Sequence, residues 1–306
     1  MPTSEPEAFR NRRAAESFGV DAPRYDRTRP SYPGELIARL AAPQVLDVGI
    51  GTGIVARQLR AAGSHVTGVE PDPRMAAFAR AGGFEVEVAT FEQWDPRGRI
   101  FDAVVAGQTW HWVDPVAGAA KAASALRPGG RLALFWNAGQ PSPAATAAFA
   151  DIYERLLPGS RLAAAYRAST GNGTTPVGSA GPPGPAASNS QVAAGQVAVA
   201  RVGGGQVAGG PVTAVQGYGV FLDKADEAIR ATGAFAGFER WSLEWERVYT
   251  RDEWLDQLPA QGLLTTLPPE DLAALSSATS AAIEALGGSF AMRFTTLATT
   301  AIRVGR

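Results

Sequence analysis

Between Gln44 and Asn137 the chain alternates regularly between short apolar runs and amphipathic segments, a pattern that few folds satisfy. Val45–Val48 is an apolar run that stops at glycines and reads as a buried strand. Thr52 to Ala62 sets Ile54, Val55, Leu59 and Ala62 at helical spacing, and Gly63 ends that helix. Val66–Val69, Phe84–Ala89, Phe101–Ala106 and Arg131–Trp136 read as further strands, with helices at Pro73–Ala81 and Val116–Leu126. Strands separated by helices of about 10–15 residues form βαβ units and a parallel sheet. Right-handed crossovers then make an open, doubly wound α/β fold.

The rest of the chain reads as attachments to this core, which is expected over residues 43–140. Residues 1–42 are a polar arm and a short helix that opens at Pro33 and carries Leu36, Ile37 and Leu40. Arg10, Arg12, Arg13, Arg24, Arg27 and Arg29 crowd this arm. They form either an anion-binding surface or a solvated face balanced by Glu5, Glu7, Glu16, Asp21 and Asp26. Residues 141–167 hold a helix, Pro143–Leu157. Residues 168–217 are low in complexity, nearly uncharged and without aromatic side chains, so they are expected to form a disordered insertion. Residues 218–306 resume with a helix over Phe221–Ala231 and a strand over Trp241–Thr250. Thr250 and Glu253 form a capping box that opens a helix through Leu258. A helix over Pro269–Leu286 and a long strand over Phe290–Val304 follow. The whole predicts a mostly parallel seven-stranded sheet whose last strand is antiparallel.

Composition narrows the chemistry. With no cysteine and two histidines, His65 and His111, thiolate metal sites, cysteine nucleophiles and histidine-rich metal centres are excluded. Lys+Arg of 28 against Asp+Glu of 29 argues against a protein that coats nucleic acid or an anionic membrane. The first residues lack the apolar stretch of a secretory signal, and no run is long and apolar enough for a membrane span. A cytoplasmic protein is therefore expected.

The chemistry concentrates at Val45-Leu46-Asp47-Val48-Gly49-Ile50-Gly51-Thr52-Gly53, a strand-to-helix turn. Glycines there let a ligand approach the backbone, and the helix behind them offers unpaired N–H groups. Glu70, seventeen residues after Gly53, closes the next strand, where an acid accepts hydrogen bonds from ribose hydroxyls. The dinucleotide pattern G-x-G-x-x-G fails, because Ile54 occupies its third glycine position.

Asp47 with Gly49, Gly51 and Gly53 resembles motif I of class I S-adenosylmethionine-dependent methyltransferases. Val69-Glu70-Pro71-Asp72 is similar to the ribose-binding motif of that family, and Thr90-Phe91-Glu92 lies where the family contacts adenine. Phe101 to Ala106 resembles its fourth strand, and Leu126-Arg127-Pro128-Gly129-Gly130-Arg131-Leu132 the turn into its fifth. The resemblance covers roughly residues 44–137. It implies S-adenosyl-L-methionine as cofactor, held by Asp47, Gly49, Gly51, Gly53, Glu70, Pro71, Thr90, Phe91, Glu92 and Ala106. Tyr25-Asp26-Arg27, Arg29-Pro30, Tyr32-Pro33 and Gln108-Thr109-Trp110-His111-Trp112 are similar to a small-molecule branch that includes enzymes methylating trans-aconitate. That likeness implies an N-terminal segment lying over the cofactor, with Tyr25 near its methionine part. Tyr249 to Trp254 and Gly288 to Arg293 also resemble this branch, which the low-complexity segment departs from.

His111 and Tyr25 are the catalytic candidates. His111 acts as a general base or is a histidine hydrogen-bonded inside the fold between Trp110 and Trp112. Those tryptophans face a cationic sulfonium or pack in the core. Arg293 pairs with a substrate carboxylate or forms a rim salt bridge. Methyl transfer to a small-molecule acceptor, a carboxylate or a hydroxyl, is the function expected. The alternatives are a cofactor-binding protein without turnover, a nucleic-acid methyltransferase and a nicotinamide-dependent oxidoreductase. The second of these lacks the Asp/Asn-Pro-Pro-aromatic signature after the fourth strand.

Overall fold

A computed structural model describes residues 17–170, 214–261, 264 and 267–305. Among the described residues, two α-helices precede the sheet, α1 (Ala22–Thr28) and α2 (Gly34–Leu40). The alternating core follows as β1 (Gln44–Val48), α3 (Ile54–Ala61), β2 (His65–Glu70), α4 (Pro73–Ala81), β3 (Glu85–Val88), β4 (Phe101–Gly107), α5 (Pro115–Ala125) and β5 (Leu126–Pro141). Then come α6 (Pro143–Leu156), α7 (Arg161–Thr170), α8 (Ala214–Ala231), β6 (Phe235–Thr250), α9 (Arg251–Gln257), α10 (Pro269–Ala285) and β7 (Ser289–Arg303).

The strands form one seven-stranded sheet in the order β3-β2-β1-β4-β5-β7-β6. The first five run parallel, and β7 lies antiparallel between β5 and β6. The doubly wound sheet with an antiparallel final strand is thus as the sequence predicts. The strand order reverses direction between β1 and β4, and such a switch point opens a crevice at the carboxyl ends of the strands.

Alternation along each strand feeds a separate core on each face of the sheet. Leu46, Val48, Val104, Leu134 and Trp136 pack with α5 and with Leu222, Ala225 and Ile229 of α8. Val45, Val105, Ala133 and Phe135 pack with Leu36 and Leu40 of α2 and Leu59 of α3. Each such side chain contributes about 1.5–3 kcal/mol on burial. A third core joins α6, α7, α9, α10 and the start of β7 around Phe149, Tyr153, Trp254 and Phe290. This lobe sits where β5 and β7 run on past the parallel strands, with Pro141 opposite Met292. Helix starts are held by side chains the sequence supplies. Asp72 caps α4, Asp114 caps α5, and Thr250 with Glu253 closes the capping box of α9.

Four sequence expectations change. β5 continues to Pro141 because it keeps pairing with β7, and β6 begins at Phe235 rather than Trp241, across a register shift at Gly237. α7 was not anticipated. The stretch expected to be disordered, 168–217, has helical edges, since Ala168–Thr170 end α7 and Ala214–Gly217 open α8. Its remainder, residues 171–213, lies outside the described residues, as do Arg10, Arg12 and Arg13. Among the described residues, no helix is long and apolar enough to cross a membrane.

Candidate active site

The turn after β1 needs glycine for two different reasons. Gly49, Gly51 and Gly53 have φ of +66°, +56° and +89°, in the left-handed region that L side chains avoid. A Cβ on Gly49 would also sit 2.2 Å from Thr109 Cγ2, whereas one on Gly51 would meet nothing nearer than 4.0 Å. The turn is therefore packed tightly on one side and open at Gly51. Gly49 N and Ile50 N both donate to Val69 O, at 2.8 and 3.2 Å, which fixes the turn against β2.

Two carboxylates lie at this turn. Asp47, one residue before the end of β1, is 1% exposed, and its Oδ2 has no hydrogen-bond partner. Burial, reinforced by the nearby Glu70, pushes its pKa well above the usual carboxylate range. Glu70 is the last residue of β2. Its Oε2 accepts from Gly51 N at 2.9 Å and its Oε1 from Asp72 N at 3.0 Å. Burial outweighs these two bonds and raises its pKa to about 7.

A cavity opens above Asp47, Gly49 and Gly51. Its second wall comes from the end of β4, where Gln108 takes a positive φ of 56° and Thr109 Oγ1 donates to Gly107 O. The short helical turn Trp110–Trp112 follows and carries His111 onto the wall. Trp136 Nε1 donates to His111 Nδ1 at 3.2 Å, and Phe221 of α8 stacks on the imidazole at 5.2 Å and 12°. Burial among these rings lowers the His111 pKa to about 3.

The N-terminal segment and the lobe supply the remaining walls. Tyr25, Arg29 and Tyr32 line the cavity. The Arg29 guanidinium lies 4.7 Å from the Tyr25 ring centroid, and its Nη2 donates to Ala260 O at 2.8 Å. Asp26 accepts from Arg57 of α3 at 2.6 Å, so α1 is anchored to the core as well as to the lobe. From the lobe side come Tyr166, Trp254 and Gln261, and from α8 comes Tyr218.

Of the residues singled out in the sequence, Tyr25, Asp47, Gly49, Gly51 and His111 meet at this one cavity. Glu70 lies beneath the glycine turn rather than on the cavity wall. Gly53 opens α3, and Ala106 is fully buried in β4. Pro71 is exposed beyond β2. Thr90 is half-buried with Oγ1 unpartnered, Phe91 stacks on Trp94 in the core, and Glu92 Oε1 accepts from Asp114 N at 2.8 Å. These last three do not line the cavity. Trp110 is core and Trp112 lines the cavity, while Arg293 is exposed away from it. Tyr32, part of the N-terminal motif, lines the cavity as well, whereas sequence reasoning missed Asn137, Tyr166, Tyr218 and Gln261. Asn137 directly follows the apolar run Arg131–Trp136, a local signal that marks it. The others reach the cavity through packing between distant segments, which leaves no local signal.

Residues 46–134 match the family described as a methyltransferase domain. An uncharacterized methyltransferase of Mycobacterium bovis is 43% identical over 126 residues, 40% of this chain and 52% of that relative. A ubiquinone biosynthesis O-methyltransferase of Methylocella silvestris is 35% identical over 94 residues, 28% of this chain and 37% of that relative. The chain thus spans about half or less of the length of these curated relatives. A solved structure from Anaeromyxobacter dehalogenans, described as a candidate type II methyltransferase, superposes with a TM-score of 0.50 at 18% identity, covering 91% of this chain and 99% of that one. It shares the fold. With its strand order and its glycine turn, the chain is similar over residues 46–134 to methyltransferase domains.

Proposed function

We propose that the protein transfers a methyl group from S-adenosyl-L-methionine to a small-molecule acceptor. The observation that carries this reading is Asp47. A carboxylate 1% exposed, with one oxygen unpartnered, on the wall of a cavity, calls for a ligand that donates to it or carries positive charge. The methionine ammonium of the cofactor does both. The open face of Gly51 gives that ligand access to the backbone, and Glu70 has one lone pair left on each oxygen for ribose hydroxyls. Glycine-turn residue Gly53, together with Pro71, Thr90, Phe91, Glu92 and Ala106, is the remainder of the proposed cofactor-binding set.

The cofactor, when bound, supplies an electrophilic methyl on a sulfonium. The chain's own part is to orient and to exclude water. Tyr25, Arg29 and Tyr32 close one side of the cavity, and Trp254 with Tyr166 closes another. Holding donor and acceptor at attack distance contributes several kcal/mol to such a reaction, roughly 7 in favourable cases. This enclosure favours a small molecule over a polymer, and some relatives are named as ubiquinone biosynthesis O-methyltransferases. The test is a product screen with methyl-labelled S-adenosylmethionine against small acids, phenols and amines. Label in one class of acceptor, lost in Asp47→Ala, supports the proposal. No transfer to any acceptor, with no binding of S-adenosylhomocysteine, contradicts it.

A further inference from the structure

The geometry around His111 points to a role opposite to that of a general base. We infer that His111 is a fixed hydrogen-bond donor in the acceptor half of the cavity, and that the acceptor is a molecule whose nucleophile is an already ionised oxygen. The inference rests on the methyltransferase reading above and concerns the acceptor alone.

An indole nitrogen only donates, so the Trp136 Nε1 bond at 3.2 Å makes His111 Nδ1 the acceptor. In a neutral ring the proton then resides on Nε2. The ring is stacked on Phe221 at 12° and lies 4.8 Å from the Trp112 ring. The stack fixes the ring plane, and a half-turn within it would set the carbon Cδ2 against the indole N–H, so exchanging the ring positions costs the indole bond. A second proton on Nδ1 would face the indole N–H and replace an attraction with a repulsion. Burial among the same rings, which depresses the pKa to about 3, acts in the same direction. His111 Nε2 has no partner among the described residues, and the ring lines the cavity. What it offers a ligand there is an N–H.

The other titratable groups on the wall do not replace it as a base. They are Tyr25, Tyr32, Tyr166 and Tyr218, the Arg29 guanidinium, and Asp47. Burial raises the pKa values of Tyr32, Tyr166 and Tyr218, so these phenols stay protonated. Arg29 is a cation. Asp47 belongs to the glycine turn and is assigned above to the cofactor. Apart from Tyr25, whose ring is covered by the Arg29 guanidinium, an acceptor that must lose a proton finds no group to take it. One that arrives ionised meets an N–H and a guanidinium. Its oxygen lone pair forms the new C–O bond, the C–S bonding pair returns to the sulfonium sulfur, and no proton moves. The anion becomes a neutral ester or ether and the sulfonium a neutral thioether.

With two histidines in the chain, nitrogen-15 histidine labelling of the full protein reads this state directly, and His65→Asn assigns the remaining ring. The measurement is made with S-adenosylhomocysteine bound, while benzoate or its uncharged counterpart benzyl alcohol is added. His111 is expected to hold a single neutral form, protonated on Nε2, from pH 8 to pH 5. Benzoate is expected to shift its Nε2 signal, and benzyl alcohol to leave it in place. In His111→Ala, benzoate should bind at least about tenfold more weakly, with partial recovery in His111→Gln, whose amide still donates. A proton on Nδ1, titration of the ring between pH 5 and pH 8, or equal effects of acid and alcohol would overturn the inference. Failure to bind S-adenosylhomocysteine would instead overturn the methyltransferase reading.

Discussion

Arg27 grips Asp256 with both arms of its guanidinium, Nε to Oδ2 at 2.6 Å and Nη2 to Oδ1 at 2.7 Å, and so ties the N-terminal helix α1 to α9 of the lobe. Arg24 adds a third bond to the same carboxylate, at 3.2 Å. Both helices line the cavity, α1 through Tyr25 and α9 through Trp254, which makes the pair a clasp. Both partners are partly exposed, so global stability depends on it little. Asp256→Ala should leave the melting temperature within a few degrees. Amide exchange across residues 22–28 should rise about tenfold, and S-adenosylhomocysteine should dissociate faster. The Arg27 bond lowers the Asp256 pKa, so the clasp is intact above the ordinary Asp value of 3.8 and is lost as pH falls through the lowered one. Unchanged exchange in the variant would show that α1 is held by Arg57 and Asp26 alone.

Glu70 gives a pH dependence of opposite sign. Its pKa rises from 4.5 to about 7 on folding, so the native state holds a proton that the unfolded chain has released. The free protein should lose about 3 kcal/mol of stability between pH 4.5 and pH 7 from this group, with Asp47 acting in the same direction. A ligand that needs the ionised carboxylate should bind about tenfold more tightly at pH 8 than at pH 6. Titration calorimetry with S-adenosylhomocysteine measures this, and Glu70→Gln should bind weakly with a flatter profile. A steep slope retained in Glu70→Gln would assign the proton to Asp47.

Asp47 should show a trade between stability and binding. Asp47→Asn removes a buried carboxylate with an unpartnered oxygen, which should stabilise the free protein by about 1 kcal/mol. The same change should weaken S-adenosylhomocysteine by about tenfold or more. Urea unfolding and calorimetry on one preparation report both. A variant that is less stable yet binds normally would place the Asp47 charge in the fold rather than in the site.

Gly49 tests the turn itself. Gly49→Ala combines a φ of +66° with a methyl 2.2 Å from Thr109 Cγ2, and should cost about 2 kcal/mol or more in urea unfolding. Gly34→Ala, in the first turn of α2 with nothing within 4 Å of the added carbon, is the control and should raise stability by up to about 1 kcal/mol.

The parallel half of the fold was legible because buried parallel strands leave continuous apolar runs, and their helices announce their own ends. Pro73–Ala81 is read to the residue because Asp72 caps it and Gly82 follows. β6 was read short because Gly237 breaks the alternation with a bulge, and β5 because the residues past Trp136 are polar or small. At the site, Asp47 and the glycines stand out because their chemistry is local. The walls from Tyr166, Tyr218 and Gln261 were not legible, since nothing near them in sequence records which surface they meet. His111 was visible as a titratable group, but its tautomer is set by Trp136, twenty-five residues away on β5.

Calorimetric titration of the 306-residue chain with S-adenosylhomocysteine, in parallel with Glu70→Ala and Asp47→Ala, tests the central claim most directly. Saturable one-to-one binding to the unaltered protein, weakened at least about tenfold in each variant, is the result expected. Absence of heat and of thermal stabilisation in the unaltered protein, or undiminished affinity in both variants, would contradict the claim that the turn at Asp47–Gly53 and the carboxylate of Glu70 hold the methyl donor.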